Sequence, residues 1–388
     1  MGLARIARQR GHEARVFYGR GAPPAGQPAD RIQGPLGLYA HVLKARVLDR
    51  QGFGSAAATK GLVKELEAWA PDVIHLHNLH GYWLHIPTLF AYLKGCKQPV
   101  IWTLHDCWPF TGRCAYFDAA GCEKWRLGCG GCPQKNAYPK SVLLDQSQRN
   151  FSEKKRLFLG VEDLTLATPS RWLMELAKES FFGKSDPPAK FAVLPNGVDQ
   201  SIFAPVKSDL RARYGLEGKR VLLGVANIWE PRKGLTTFFE LRKILSKDYA
   251  IVLIGLDQKQ LSAVLPGILA FSRTDGPREL AAWYSCADVF VDPTREENFP
   301  TTHLEALSCG TPVATYNAGG SGEMLTKDCG VAVAVGDIKG LAEGILKAQT
   351  LRREDCLAQA ALYGEQERLG DYVELYQRLV FSKGPAGQ

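Results

Sequence analysis

Glu297-Asn298-Phe299-Pro300-Thr301-Thr302-His303-Leu304-Glu305 runs straight into Ala306-Leu307-Ser308-Cys309-Gly310-Thr311-Pro312-Val313. Ala306-Leu307-Ser308-Cys309 reads as helix and Gly310 as its C-terminal stop. The apolar run from Pro312 to Tyr316 reads as the next strand. Upstream, Ala287-Asp288-Val289-Phe290-Val291-Asp292-Pro293 reads as a buried strand. Both carboxylates therefore fall just beyond the carboxyl end of a strand, where open α/β sheets bind ligands. A carboxylate accepts two hydrogen bonds at fixed spacing, so such a pair can grip the hydroxyls of a sugar and of a ribose. On spacing alone, the reading of Glu297 as a helix cap and Glu305 as a solvated helix residue is the favoured one.

Working outward, strand-like runs recur at 13–19, 72–77, 100–104, 164–169, 191–195, 220–226, 250–255, 288–292, 312–316 and 330–335. Helical patterns separate most of them, as at 57–69, 171–178, 236–245 and 340–348. This alternation predicts parallel sheets covered by helices. Residues 21–33 and the tail 383–387 are rich in Gly and Pro and predict loose segments. A boundary falls near Ser185-Asp186-Pro187-Pro188, followed by the turn Pro195-Asn196-Gly197. Tyr372–Tyr376 reads as part of an amphipathic helix.

The 388 residues suffice for two well-buried domains. Apolar content of 45% and charged content of 23% suit a globular chain. No apolar run is long enough to span a membrane, and no signal-peptide core opens the chain. The net charge of +8 suits an anionic ligand or an anionic membrane surface, or is ordinary surface charge. No long Lys/Arg run argues for nucleic acid.

The motif 297–313 closely resembles the E-x7-E signature of retaining glycosyltransferases of family 4. That resemblance implies a GT-B fold: two Rossmann-like domains with parallel sheets facing across a cleft. It also implies that Glu297 contacts the donor sugar and Glu305 the nucleotide ribose, with the backbone of Phe299, Pro300 and Thr301 along the donor. Lys233, beside Gly234 at a helix start, is placed to hold a diphosphate. The family's arginine position near Asn227 is not basic, and Arg232 is the nearest substitute. Gly319-Gly320-Ser321-Gly322-Glu323 resembles the family's donor loop, with Gly320 approaching the donor and Glu323 starting a helix. Arg273 and Thr274 lie where the family binds its base. Thr103-Leu104-His105-Asp106 resembles the pattern whose His contacts the donor sugar near the reacting centre. His77 and Asn78 are expected in support. His75, His77 and His80 are also a weaker candidate for a metal site.

The expected domains are 1–188, an acceptor domain carrying a Cys-rich loop at 107–135; 189–365, the nucleotide-sugar domain; and 366–388, a helix crossing back to the first domain plus a loose tail. Leu3 to His12 reads as the back half of a helix. The first strand of the N-terminal domain and its Gly-rich turn are therefore expected to be missing.

Ten cysteines are unevenly placed. Cys96, Cys286, Cys309, Cys329 and Cys356 are scattered and read as unpaired thiols. Cys107, Cys114, Cys122, Cys129 and Cys132 crowd one segment, the last four spaced as Cys-x7-Cys-x6-Cys-x2-Cys. The Cys-x2-Cys with Gly130-Gly131 between has zinc-knuckle geometry, and four ligands would close a tetrahedral structural site. The aromatic stretch Trp108–Phe110 ahead of it suits a sugar acceptor. Within family 4 the segment looks like a subgroup resembling enzymes of exopolysaccharide and O-antigen synthesis.

The expected function is a retaining transfer from a nucleotide-diphosphate sugar to a glycan or lipid-linked acceptor. No cofactor for catalysis is expected, only a structural zinc. The expected place is the cytoplasm, with peripheral contact at the inner face of the plasma membrane. The alternatives are a truncated non-catalytic GT-B protein, a zinc-ribbon nucleic-acid-binding module, and an epimerase or phosphorylase of the same fold.

Overall fold

The computed structural model describes residues 2–382 apart from 22, 24, 25 and 27. The tail expected to be loose lies outside the described residues. The chain forms two compact units, one up to Leu194 with the residues from Leu369 onward, the other Pro195–Arg368.

In the first unit the strands are β1 (Phe17–Tyr18), β2 (Asp30–Arg31), β3 (Ile74–Leu76), β4 (Val100–Thr103), β5 (Leu164–Thr168) and β6 (Lys190–Val193). Strands β3 to β6 form a parallel sheet in sequence order. Side chains alternate across it, as the period of two requires. Val100 and Trp102 enter a large core with Phe90, Phe158 and Phe182. Ile101 and Ala167 face the other way, against Tyr372, Leu375 and Leu379. These last belong to the helix Glu365–Phe381. The helix Gly2–Gln9 packs Ile6 and Ala7 on Val373. Each large side chain buried in this way contributes roughly 1.5–3 kcal/mol.

Strands β1 and β2 pair only with each other, in parallel. The strand expected over 13–19 thus shortens to two residues, because a ladder lasts only where backbone groups find partners. The segment 21–33, expected to be loose, contributes β2. Asp30 donates its N–H to Val16 O and Ile32 to Tyr18 O. Arg15 reaches the carboxylates of Asp30 and Glu65.

In the second unit the strands are β7 (Arg220–Val225), β8 (Tyr249–Ile254), β9 (Ile268–Phe271), β10 (Val289–Asp292), β11 (Val313–Tyr316) and β12 (Gly330–Val333). They form one parallel sheet in the order β12-β11-β10-β7-β8-β9. Val221, Leu223, Val252 and Phe290 fill the core on one face. Leu222, Ile251, Val289 and Ala314 fill the core on the other. The order reverses between β7 and β10, so the loops leaving these two strands part and leave a crevice. Those loops carry Lys233 and Glu297.

Candidate functional site

After β7 the chain makes a short helical turn, Pro231–Lys233, and enters the helix Leu235–Ile244 through Gly234. Gly234 has φ of 73°, and a Cβ there would lie 2.3 Å from Pro293 O. Glycine is therefore required for the β7 loop to lie against the β10 loop. The two loops are stitched together by Arg295 N–H to Arg232 O at 2.8 Å and by the Arg232 guanidinium to Glu296 O at 3.0 Å. Arg232 also pairs with Glu230. Its guanidinium thus braces the loop, while Lys233 points to the carboxylate of Glu297, with Nζ to Oε2 of 2.6 Å. The other oxygen of Glu297 accepts the Asn298 N–H at 2.9 Å.

The glycine loop joins the same place. Gly320 donates its N–H to Glu297 O at 3.3 Å. Glu323, expected to start a helix, sits instead in successive turns. Ser321, Glu323 and Leu325 each donate to the carbonyl three residues back. Ser321 Oγ donates to Tyr316 O, and Met324 is fully buried, which pins the turns before a helix can propagate.

Glu305 lies within the helix Thr301–Ser308. The phenol of Tyr284 donates to its carboxylate at 2.9 Å. Burial raises the Glu305 pKa and this bond opposes the rise. Phe299 is buried, and its carbonyl accepts the Asn196 amide at 2.9 Å. Pro300 is buried beside it and Thr301 is exposed. Arg273 is exposed beyond β9 at the sheet edge, two strands from β7 or roughly 10 Å of ladder.

Beneath this site a pair absent from the sequence reading holds the motif in place. The wholly buried His303 meets Asp292 at 3.0 Å. Thr294 also donates to that carboxylate. Burial alone would raise the Asp292 pKa, but the His303 hydrogen bond and the Lys233 charge outweigh it and hold it at about 2. No spacing rule flags either His303 or Tyr284, because their partners come from other elements.

In the first unit the histidines gather where β3 and β4 end. His77 Nδ1 shares a hydrogen bond with His105 Nε2 at 3.0 Å, the rings stacked 5.3 Å apart. His80 lies 3.3 Å from Asp106, which also accepts the Trp108 N–H. Burial lowers the His105 pKa, against the pull of Asp106. Both ring nitrogens of His75 are engaged, by Tyr376 at 2.6 Å and Thr103 at 2.7 Å. That occupies His75 and corrects the idea of a histidine metal site: among the described residues no group of three or more His, Cys, Asp or Glu side chains stands in metal-holding geometry.

The four clustered cysteines line one small cavity together with Arg113, Phe117 and Trp125. Burial pushes Cys114 to about 12 and Cys129 to about 11, the values of neutral thiols. They surround the cavity without the tetrahedral convergence expected from their spacing. A separate cavity of about 580 Å³, lined by Gln33, His41, Lys44 and Ser55, had no signal in the sequence.

The sequence profile of Glycosyltransferase Family 4 matches residues 1–202, and that of Glycosyl transferases group 1 matches residues 219–350. The clustered cysteines fall inside the first of these, which places them within a transferase domain and corrects the reading of a separate zinc ribbon. The chain is 29% identical over 324 residues to the Escherichia coli (strain K12) colanic acid biosynthesis glycosyl transferase WcaC, covering 80% of this chain and 77% of that protein. It superposes on sucrose-phosphate synthase from Thermosynechococcus elongatus with a TM-score of 0.67 and 18% identity, covering 98% of this chain and 92% of that one. Against Anabaena Alr3699/HepE, solved in complex with UDP-glucose, the TM-score is 0.65 at 16% identity, covering 97% and 94%. These likenesses establish the fold as GT-B, with two Rossmann-like domains.

Proposed function

We propose that this chain, which belongs to glycosyltransferase family 4, transfers a sugar with retention from a nucleotide-diphosphate donor to a glycan or lipid-linked acceptor in surface polysaccharide synthesis. The observation that carries the reading is the meeting of Lys233, Glu297 and Gly320 at the switch point between β7 and β10. A diphosphate fits a crevice with one ammonium and a helix N-terminus at its mouth.

The leaving diphosphate gathers negative charge as the bond to the sugar breaks. Lys233 and the backbone N–H groups opening the helix Leu235–Ile244 stabilise that charge without a catalytic metal. Glu297 takes hydroxyls of the donor sugar and Glu305 takes those of the ribose. The backbone around Phe299, Pro300 and Thr301 and the loop at Gly320 and Glu323 line the donor. Arg232 braces the phosphate loop and Arg273 lies toward the base. His105 contacts the sugar near its reacting carbon, oriented by His77. With no carboxylate nucleophile assigned, the acceptor attacks from the face the diphosphate leaves. The kinship with a colanic acid enzyme supports the polysaccharide acceptor. No helix of the described residues is long and apolar enough to cross a membrane. A lipid-linked acceptor would be met by peripheral contact at the cytoplasmic face.

The test is a thermal-shift screen of nucleotide sugars followed by a transfer assay with the best binder. A ligand that binds only the folded state raises Tm. One nucleotide-sugar class should stabilise the protein and be consumed. A folded protein stabilised by none, with no transfer, overturns the reading.

A further inference from the structure

We propose that Cys114, Cys122, Cys129 and Cys132 hold one zinc ion as a closed structural site that ties down the segment between β4 and the helix Ser147–Phe158. The proposal is independent of the transfer reaction. The four thiols come from a stretch with only short helical turns, Trp108–Phe110, Asp118–Ala120 and Lys124–Arg126. Yet that stretch buries Trp108, Phe110, Phe117 and Trp125 almost completely. Its backbone makes little regular ladder and is held by side chains instead, Arg113 on Gln134 O, Lys154 on Trp108 O and Thr111 O, and Asp145 on the Cys132 N–H.

All four cysteines line a single cavity of about 20 Å³. That is room for one small sphere, since a water needs roughly 10–15 Å³. Gly130 and Gly131 have φ of 157° and 54°, which turns Cys129 and Cys132 onto the same cavity. Lys124 Nζ donates to the carbonyls of Gly130 and Gly131, at 2.8 and 2.9 Å. Hydrogen-bond donors already face the sulfurs: Gly112 N–H points at Cys129 Sγ at 3.1 Å. Trp125, 1% exposed, lines the cavity, and its indole N–H has no partner. Donors around sulfur are what metal-bound thiolates require.

Two buried basic groups flank the site. Lys154 is 1% exposed and donates to the carbonyls of Trp108 and Thr111 at 2.7 and 3.0 Å. Among the described residues it makes no ion pair, and Cys129, Cys114, Asp106 and Asp49 stand within electrostatic reach. Arg113, also buried, has Asp49 at 2.9 Å. Four thiols binding one Zn²⁺ release four protons and leave a tetrathiolate of charge −2, which these two cations would face. The thiols as they stand are not in metal-holding geometry, so binding zinc requires them to close on the cavity they already line.

The experiment uses the full chain, purified reduced and without added zinc. Metal analysis should find about one zinc per chain. Chelation should free four thiols to a thiol reagent. Cobalt reconstitution should give the visible spectrum of a tetrahedral thiolate site. Cys129→Ser should lose the metal, whereas Cys96→Ser, outside the cluster, should keep it. A reduced, folded wild-type protein that holds neither zinc nor cobalt overturns the proposal, and so does a Cys129→Ser protein that keeps its metal. If Cys129→Ser fails to fold, the cobalt spectrum and thiol count of the wild type decide.

Discussion

The ammonium of Lys233 stands 2.6 Å from the carboxylate of Glu297. The first residue ends the β7 loop and the second lies in the β10 loop, so this pair closes the crevice at the point where strand order reverses. Each is a contact proposed for the donor, and each pre-orients the other.

Lys233→Ala should therefore lower kcat/KM by about 10²–10³, the loss typical of one preorganised electrostatic contact. Glu297→Gln should chiefly lower kcat and leave nucleoside-diphosphate affinity nearly intact. Because the two groups touch, the double variant should cost less than the sum of the singles. Steady-state kinetics and calorimetry on the four proteins check this. Wild-type kinetics in both folded single variants would remove the site assignment.

Tyr284 sets the carboxylate of Glu305 by a 2.9 Å bond. A hydrogen bond to a charged group contributes about 1.5–3 kcal/mol. Tyr284→Phe should weaken nucleotide binding by about tenfold or more, and Glu305→Ala at least as much. If Tyr284→Phe binds nucleotide like the wild type, the phenol does not orient the ribose contact.

The buried pair Asp292–His303 predicts a stability effect separate from substrate binding. His303→Ala leaves the Asp292 carboxylate buried without its main partner, at a cost of about 3–5 kcal/mol. Denaturant unfolding should show the loss in the midpoint. Asp292 has its pKa held at about 2, so its contribution is present above its ordinary 3.8 and is lost as pH falls toward 2. An unchanged midpoint in His303→Ala would contradict this.

His41 predicts a second pH dependence, of opposite origin. Its Nε2 accepts the Gly54 N–H at 3.2 Å and its Nδ1 meets Ser55 Oγ at 2.9 Å, so the buried ring is neutral. Burial, with the charges of Lys44 and His85, lowers its pKa to about 4. Between pH 6.5 and 4 the unfolded chain takes up a proton that the folded one refuses. Stability is then full above 6.5 and falls by about 3 kcal/mol on going down to 4. Unfolding midpoints across that window should flatten in His41→Gln, and an equal slope in both proteins would contradict the assignment.

His77 should act through His105, to which it is bonded at 3.0 Å. His77→Phe keeps a stacking ring but removes the bond. We expect kcat to fall by about tenfold with donor KM nearly unchanged, as when only a positioned contact is loosened. His105→Ala should fall further. Equal and unchanged rates in both would exclude the histidines from the reaction.

The β-α alternation, the helix stop at Gly310, and the placement of Glu297 and Glu305 beyond a strand are all readable in the chain. They rest on local patterns: apolar periodicity, glycine stops and the carboxyl-end rule. Lys233 is readable for the same reason, as a cation at a helix start. Glu323 shows where local reading stops. Its loop looks like a helix start, but Ser321 bonds Tyr316 and Met324 is buried, which stops the turns short of a helix. The short β2 was hidden in a Gly/Pro-rich segment because its only signal is its partner, β1.

What the sequence determined by itself is therefore the class of fold, the family and the residue types at the switch point, since periodicity and motif spacing are properties of neighbours along the chain. What only the tertiary structure decided are the pairings: Lys233 with Glu297, Tyr284 with Glu305, His303 with Asp292, His77 with His105, and four thiols around one cavity. Their partners lie on different elements. Hydrogen bonds and ion pairs depend on distances of a few ångströms and on burial, which exist only once strands and helices have packed.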